Sequence, residues 1–464
     1  MMALREQSIK NSNIDAQSNQ KLPLSEKISY GFGDMASNLI YTVITTYLTF
    51  YFTDVYGIGA AAVGTMMLIV RFVDMIDSPI FGILIDKTKT RWGKSRPWIL
   101  WTCIPFTVGA IALFAGPDLS EGGKLTYAYI LYILVSVLYA AINGPLATML
   151  PSMTSNVQER TVANTFRMVG GQLGGLIVNM SLIGLVAYLG AGDQQKGFFY
   201  TMTLFSVLAF VLFLITFFGT KERVHSASGK VESIPLKESV KAIKGNRPWI
   251  IMSLLVLVFF MMYITKLSAS IYYITYYVGK PGVVSLINSL GMVTIVGILS
   301  IPFLTKKFSK KSVIMAGLII SIMGQLVIYL GDQNITIIAI GTVIGGIGLG
   351  LPAGLLFVLM ADTVDYGEWK SGIRAQGLLV SASSVGFKLG SGLGAAIPAW
   401  LLAFGGYAAG KAQTQTSLNM ISFSYIWIPV ILGVIAFILM IFYKWEKPHE
   451  EIITELEARR TAQN

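Results

Sequence analysis

The chain has 464 residues, of which 54% are apolar and only 13% charged, with 47 glycines; this composition suits lipid and excludes an ordinary soluble globular domain. One cysteine, Cys103, excludes an intrachain disulfide and any multi-cysteine metal site, and its apolar setting makes it a packing residue. The net charge of +11 fits a nucleic-acid partner by number alone, but the positions of the charges exclude one, as the loops show.

Residues 1–27, MMALREQSIKNSNIDAQSNQKLPLSEK, are polar and lack the apolar core of a signal peptide, which predicts a disordered cytoplasmic N-tail. Apolar segments follow at 28–53, 60–85, 98–116, 125–151, 167–190 and 197–219, then at 247–278, 282–304, 312–331, 335–361, 376–404 and 418–443. Most reach the roughly 20 residues that cross a bilayer as helix. They are continuously apolar rather than alternating, which argues against a barrel. The expectation is an all-α membrane protein with twelve transmembrane helices in two six-helix bundles. The N-terminal bundle covers 28–219, a cytoplasmic central loop 220–246, the C-terminal bundle 247–443 and a cytoplasmic C-tail 444–464.

The second span, AAAVGTMMLIVRFVDMIDSPIFGILI, places Arg71, Asp74 and Asp77 at bilayer depth, where a charge costs roughly 3 kcal/mol and marks an ion or substrate path. The basic loop DKTKTRWGKSRP, residues 86–97, comes directly after it. Of the 35 lysines and arginines, Lys124, Lys196, Lys280 and Lys411 fall in outer loops and Arg71, Lys266 and Lys388 within spans, leaving 28 on the side of the two tails and the even-numbered loops. Arg167 is counted there, at the edge of the fifth span. That asymmetry predicts both termini inside, in the plasma (cell inner) membrane, and it places the positive excess against lipid headgroups rather than nucleic acid.

The central loop, KERVHSASGKVESIPLKESVKAIKGNR, separates six spans from six, and its SIPLKESVKAIK segment has the pattern of a short interfacial helix. Two bundles joined in this way are the plan of major-facilitator transporters, with a substrate site near the membrane midplane. TKKFSKKS after span eight echoes TKTRWGKSRP after span two.

Several motifs carry a more specific likeness. KISYGFGDMASN (Lys27–Asn38), FYFTDVYG (Phe50–Gly57), RFVDMIDSPIFG (Arg71–Gly82), TRWGKSRPWIL (Thr90–Leu100), NGPLATMLPSMT (Asn143–Thr154), MADTVDYGEWK (Met360–Lys370) and VGFKLGSGLG (Val385–Gly394) resemble, in order, the glycoside-pentoside-hexuronide:cation symporter family. The likeness extends over roughly residues 27–445.

In that family the second helix carries carboxylates that bind the coupling cation, and Asp74 falls on the first of them. The second would lie four residues on, where this chain has Ser78, while Asp77 replaces a neighbouring polar residue. Asp74 and Asp77 are i, i+3 neighbours on one face. The coupling ion is H+ or Na+, with no other cofactor. Na+ at Asp74 and Asp77 stays open, but H+ is favoured: a proton needs one carboxylate, sodium prefers several preformed oxygens, and a family threonine that helps hold sodium aligns with Ala140. Arg71, one turn away, is the charge partner on helix two, and a purely structural ion pair with Asp74 is the alternative.

For substrate, the resemblance implies Asn38 and Asn143 on helices one and four, where relatives carry carboxylates. Amides offer donors and acceptors to hydroxyls without negative charge, although Asp34 restores a carboxylate on the same face. Helix–helix hydrogen bonding is the alternative for both asparagines. Tyr139 matches an aromatic position beside the sugar, with a core or interfacial role as its alternative. Arg167 matches an arginine near the sugar, with snorkelling to the inner interface as its alternative. Lys388, an ammonium among glycine and serine, matches a family lysine close to the sugar and cation sites. Lys266 has no family counterpart, and substrate contact and snorkelling are both open for it.

An inner gate is implied by opposite charges on the inner side: Arg91, Lys94 and Arg96 in the basic loop, against Asp362, Asp365 and Glu368 at i, i+3, i+6 and Arg374 beyond them. Exposed pairs of this kind are worth about 0 to 1 kcal/mol each, which suits a gate that opens every cycle. The predicted function is a sugar:cation symporter importing a glycoside, pentoside or hexuronide by alternating access, with the lipid bilayer and a small sugar as its partners and no obligate protein partner. A lysolipid or other amphiphile transporter of the same fold is the alternative. Two histidines, one cysteine and no acid–base pair beside a nucleophile argue against an enzyme.

Overall fold

The computed structural model describes residues 21–154, 156–223, 245–372, 376–447 and 449–463. The first twenty residues of the N-tail, the interfacial segment of the central loop and Arg374 lie outside them. All twelve expected segments are helical: α1 (Leu24–Phe50), α2 (Ala60–Lys87), α3 (Arg96–Leu113), α4 (Glu121–Met153), α5 (Val157–Gly190) and α6 (Gln194–Gly219), then α7 (Arg247–Tyr272), the broken pair α8 (Val284–Gly291) and α9 (Thr294–Leu304), α10 (Lys310–Gly331), α11 (Ile335–Ser371), α12 (Gln376–Phe404) and the pair α13 (Gln415–Ser422) and α14 (Ile428–Phe442). A further helix, α15 (His449–Gln463), follows. Among the described residues, ten helical stretches are by themselves long and apolar enough to cross a membrane. Missing from the ten are α1, which carries Asp34, and α2, which carries Arg71, Asp74 and Asp77.

Short polar side chains begin these helices by satisfying N–H groups that have no partner within the first turn. Ser120 accepts from the Gly123 amide, Asn156 from Gln158 and Glu159, Asn246 from Trp249, Ser309 from Ser312, and Asn334 from Thr336 and Ile337. The cap at Asn156 starts α5 well before the apolar run does. Arg167 therefore lies about three turns inside the helix rather than at its edge. The N-tail also orders earlier than expected, with α1 starting at Leu24, because Glu26 pairs with Arg223 at 2.8 Å and Lys27 with Glu159 at 2.7 Å. At the other extreme, α11 continues past Ala361 through the acidic stripe to Ser371.

Helix packing divides the chain into two compact units: residues to Ile58 with Phe72–Gly229, and Gly59–Arg71 with Lys230–Asn464. The first half of α2 groups with the second unit because it packs on α12. A Cβ on Gly64 would sit 2.8 Å from Trp400, and one on Gly392 would sit 2.5 Å from Cγ of Arg71. In the first unit, α1 and α5 touch through glycines, so closely that a Cβ on Gly170 would lie 2.1 Å from the Gly31 carbonyl oxygen. Small residues at such spacing are how membrane helices gain contact without a hydrophobic drive between them. In the second unit Gly386, Gly390 and Gly394 lay α12 along α7 in the same way, meeting the carbonyls of Ser253, Leu257 and Met261.

A repeated device appears at the ends of α1 and α7. Each passes into π-helical turns, Tyr51–Val55 and Tyr273–Tyr277, closed by Tyr56 N–H to Tyr51 O (2.8 Å) and Val278 N–H to Tyr273 O (3.0 Å). Each then breaks at a glycine of positive φ, Gly57 at 78° and Gly279 at 74°. Tyr51 donates its hydroxyl to the carbonyl of Phe114 just past α3, and Tyr273 donates to that of Asp332 just past α10. YFTDVYG and YITYYVG are thus one element used twice, a clearer trace of duplication than the echo of basic loops.

Candidate functional site

On α1, Asp34, Asn38 and Tyr41 follow one another at i, i+4, i+7 and so share a face. That face meets α5: a Cβ on Gly171 would lie 2.5 Å from a carboxylate oxygen of Asp34 and 3.0 Å from the amide nitrogen of Asn38. Asn38 donates its amide to the Asp34 carbonyl at 2.9 Å, which holds the side chain along the helix. Arg167, on α5, is close enough to Asp34 and Tyr30 to act on both electrostatically. Tyr30 in turn donates its hydroxyl to the Leu146 carbonyl on α4 at 2.8 Å.

A second stripe runs along α4, where Ser136, Tyr139 and Asn143 share a face at i, i+3, i+7. Asn143 donates its amide to the Tyr139 hydroxyl at 3.2 Å. Tyr139 stacks on Tyr41, with ring centroids 4.5 Å apart and planes 12° from parallel, and Phe106 stands 6.2 Å away. The stack joins the two stripes. Half-buried amides, a carboxylate beside an arginine and a flat aromatic pair supply donors, acceptors and an apolar surface, which a sugar ring requires.

The charges of α2 are almost wholly removed from the surface, with Arg71 at 8%, Asp74 at 7% and Asp77 at 6% exposure. Ser136 donates its hydroxyl to Oδ1 of Asp74, so the α2 carboxylate is bonded directly to the α4 stripe. Sequence reading missed Ser136 and Tyr41; their i+3 and i+7 spacing from the named residues is the signal that could have found them. The Ser78 side chain lies outside the described residues. In the second unit the stem of Arg71 packs on Gly392, and Lys388 lies one turn before Gly392 on α12, on that same face. Lys266 on α7 reaches the glycines of α11, with its ammonium 3.5 Å from the position a Gly345 Cβ would take.

Arg91, Lys94, Arg96 and Asp362 of the gate set have partners within their own units. Arg91 lies over the Trp92 ring at 4.6 Å, and the amides of Lys94 and Arg96 both donate to the Glu222 carboxylate, at 2.9 and 2.8 Å. The guanidinium of Arg96 donates to the Phe217 carbonyl at 2.6 Å. Asp362 pairs with Lys310 at 2.7 Å, while Asp365 and Glu368 stand half-buried on the following turns of α11. The tail beyond α14 packs back on that region: Ile452 and Leu456 of α15 are buried with Tyr366, and Trp369 donates its indole N–H to Glu455 at 2.6 Å.

The family model described as "MFS/sugar transport protein" matches residues 29–447. The chain is 40% identical over 447 residues to the isoprimeverose transporter of Lactiplantibacillus pentosus, covering 96% of this chain and 93% of that one. It is 35% identical over 445 residues to the uncharacterized symporter YnaJ of Bacillus subtilis (strain 168), covering 95% and 96%. A crystal structure of a D-xylose-proton symporter shares the fold, with a TM-score of 0.66 at 16% identity over 92% of this chain and 98% of that one. This multi-pass membrane protein is a transporter rather than an enzyme, and it belongs to the MFS/sugar transport proteins, among the glycoside-pentoside-hexuronide:cation symporters.

Proposed function

We propose that this chain imports a sugar or small glycoside together with a proton, by alternating access, across a plasma membrane with both termini in the cytoplasm. The observation that carries the reading is the hydrogen bond from Ser136 to Asp74, because Ser136 shares its face of α4 with Tyr139 and Asn143. A cation captured at Asp74 is then felt by the helix that holds sugar. Asp34, Asn38 and Arg167 complete the substrate side, and Asp77 and Arg71 support the charge balance of α2.

A proton is favoured because a single carboxylate suffices to hold it, whereas sodium prefers several oxygens gathered in advance, and Ser78 and Ala140 stand where relatives carry a second carboxylate and a threonine. The name of the 40%-identical relative favours isoprimeverose as the first substrate to try. In proteoliposomes, isoprimeverose should exchange in counterflow and should accumulate when the outside is made acid, with or without sodium. Accumulation driven by a sodium gradient at equal pH would overturn the choice of ion; absence of counterflow with every glycoside, pentoside and uronide tried would overturn the function.

A further inference from the structure

The membrane-embedded part of the second unit holds a positive charge with no carboxylate of that unit to match it nearby. From Arg247 to Ala361 and from Gln376 to Tyr443 the sequence contains one acidic residue, Asp332. Its carboxylate accepts from the Tyr277 hydroxyl at 2.8 Å, some 16 Å along the helix axis from the level of Lys266.

Lys266 is half-buried, and its ammonium lies over the crossing of α10 and α11. The point where a Gly345 Cβ would stand is 3.5 Å from that ammonium, 3.7 Å from the Ser321 carbonyl oxygen and 3.7 Å from the Cα of Gly324. Gly324 and Gly345 bring α10 and α11 together beneath it, since a Cβ on Gly324 would lie 2.4 Å from the Gly345 nitrogen. Gly345 is ten residues past the start of α11 at Ile335, about 15 Å along its axis, so the lysine has not snorkelled to that helix end.

The polar groups at this crossing are neutral. They include the Ser321 carbonyl; Gln325, the residue after Gly324 on α10, is 2% exposed, and its Oε1 accepts no hydrogen bond among the described residues. An ammonium has three donors, and neutral acceptors take its hydrogens without cancelling its charge. What completes such a site is an anion that arrives and leaves.

We propose that Lys266 binds the carboxylate of an acidic sugar, giving the second unit a subsite that favours sugar acids over their neutral counterparts. The proposal deepens the sugar-transport reading and rests on it. Its test is competition for isoprimeverose counterflow by glucuronate and by glucose, in wild type, Lys266→Gln and Lys266→Arg. A bond to a charged group predicts that glucuronate competes about tenfold better than glucose in wild type, that Lys266→Gln brings the two near parity, and that Lys266→Arg keeps the preference. Parity in wild type, or an undiminished preference in Lys266→Gln, overturns it.

A second readout separates this proposal from the transport reading. Glucuronate, and not glucose, should raise the melting temperature of the purified protein, and Lys266→Gln should lose that shift. If the shift is present while counterflow is absent, the transport reading fails and the subsite stands. If the shift is absent while counterflow is present, the subsite fails. Should Lys266→Gln yield no folded protein, Lys266→Met takes its place in both readouts, with the same outcomes for and against.

Discussion

Ser136 donates its hydroxyl hydrogen to the Asp74 carboxylate from a position one turn before Tyr139 on α4. A serine hydroxyl can donate to an ionised carboxylate or accept from a protonated one, so a change of charge on Asp74 acts directly on this bond. Tyr139 and Asn143 continue the same face, which makes α4 the physical link between the acidic helix and the aromatic stack of Tyr41 on Tyr139.

Ser136→Ala should separate coupling from transport. A hydrogen bond to a charged group is worth about 1.5 to 3 kcal/mol, so losing it should lower uphill accumulation several-fold while counterflow at saturating sugar changes little. Asp74→Asn should abolish uphill accumulation more than exchange. Undiminished uphill accumulation in Ser136→Ala would remove the serine from the coupling role.

Two neighbouring glycines on α5 should fail in different ways. A Cβ on Gly170 meets the Gly31 backbone, which cannot turn aside, so Gly170→Ala should destabilise the fold by about 1 to 3 kcal/mol and lower the melting temperature. A Cβ on Gly171 meets the side chains of Asp34 and Asn38, which can move, so Gly171→Ala should weaken sugar binding with little change in melting. Gly184→Ala, with nothing within 4 Å, is the control. Equal melting losses in the two variants would contradict the assignment of Asp34 and Asn38 to the substrate side.

The docking of α15 should be insensitive to pH over the physiological range. Hydrogen bonds from Lys447 and then from Trp369 hold Glu455 below the ordinary carboxylate range, and those from Lys370 and then Tyr366 do the same for Glu446. Since the docked values are depressed, their contribution is present above the undocked value of about 4.3 and is lost as pH falls through the docked one. Hydrogen-exchange protection of α15 should therefore hold from pH 8 to 5 and fall only below about pH 4. Loss of protection between pH 8 and 6 would show that other groups hold the helix.

Much of the fold was legible because hydropathy over twenty residues is a strong and local signal. The boundaries that shifted are those set by side-chain partners. Asn156 extends α5 backward and so carries Arg167 into the helix, and Glu26 and Lys27 order the first turn of α1 through Arg223 and Glu159. Those partners are remote in sequence, and periodicity does not register them. The same limit hid the role of Ser136: its spacing from Tyr139 shows a shared face, but the carboxylate that α2 brings to it is seen only in the packed structure.

By itself the sequence determined that the chain lies in a membrane as two sets of helices, because uninterrupted apolarity leaves the backbone no other way to satisfy its hydrogen bonds in lipid. It also marked Asp34, Asp74, Asp77, Lys266 and Lys388 as costly and hence purposeful, since charge at that depth is expensive wherever it sits. Which of them share a face, a glycine contact or a hydrogen bond was decided only by the packing of one helix on another. Helix packing in lipid depends on the close approach of small residues such as Gly31, Gly170 and Gly345, a property of pairs of segments that no single segment contains.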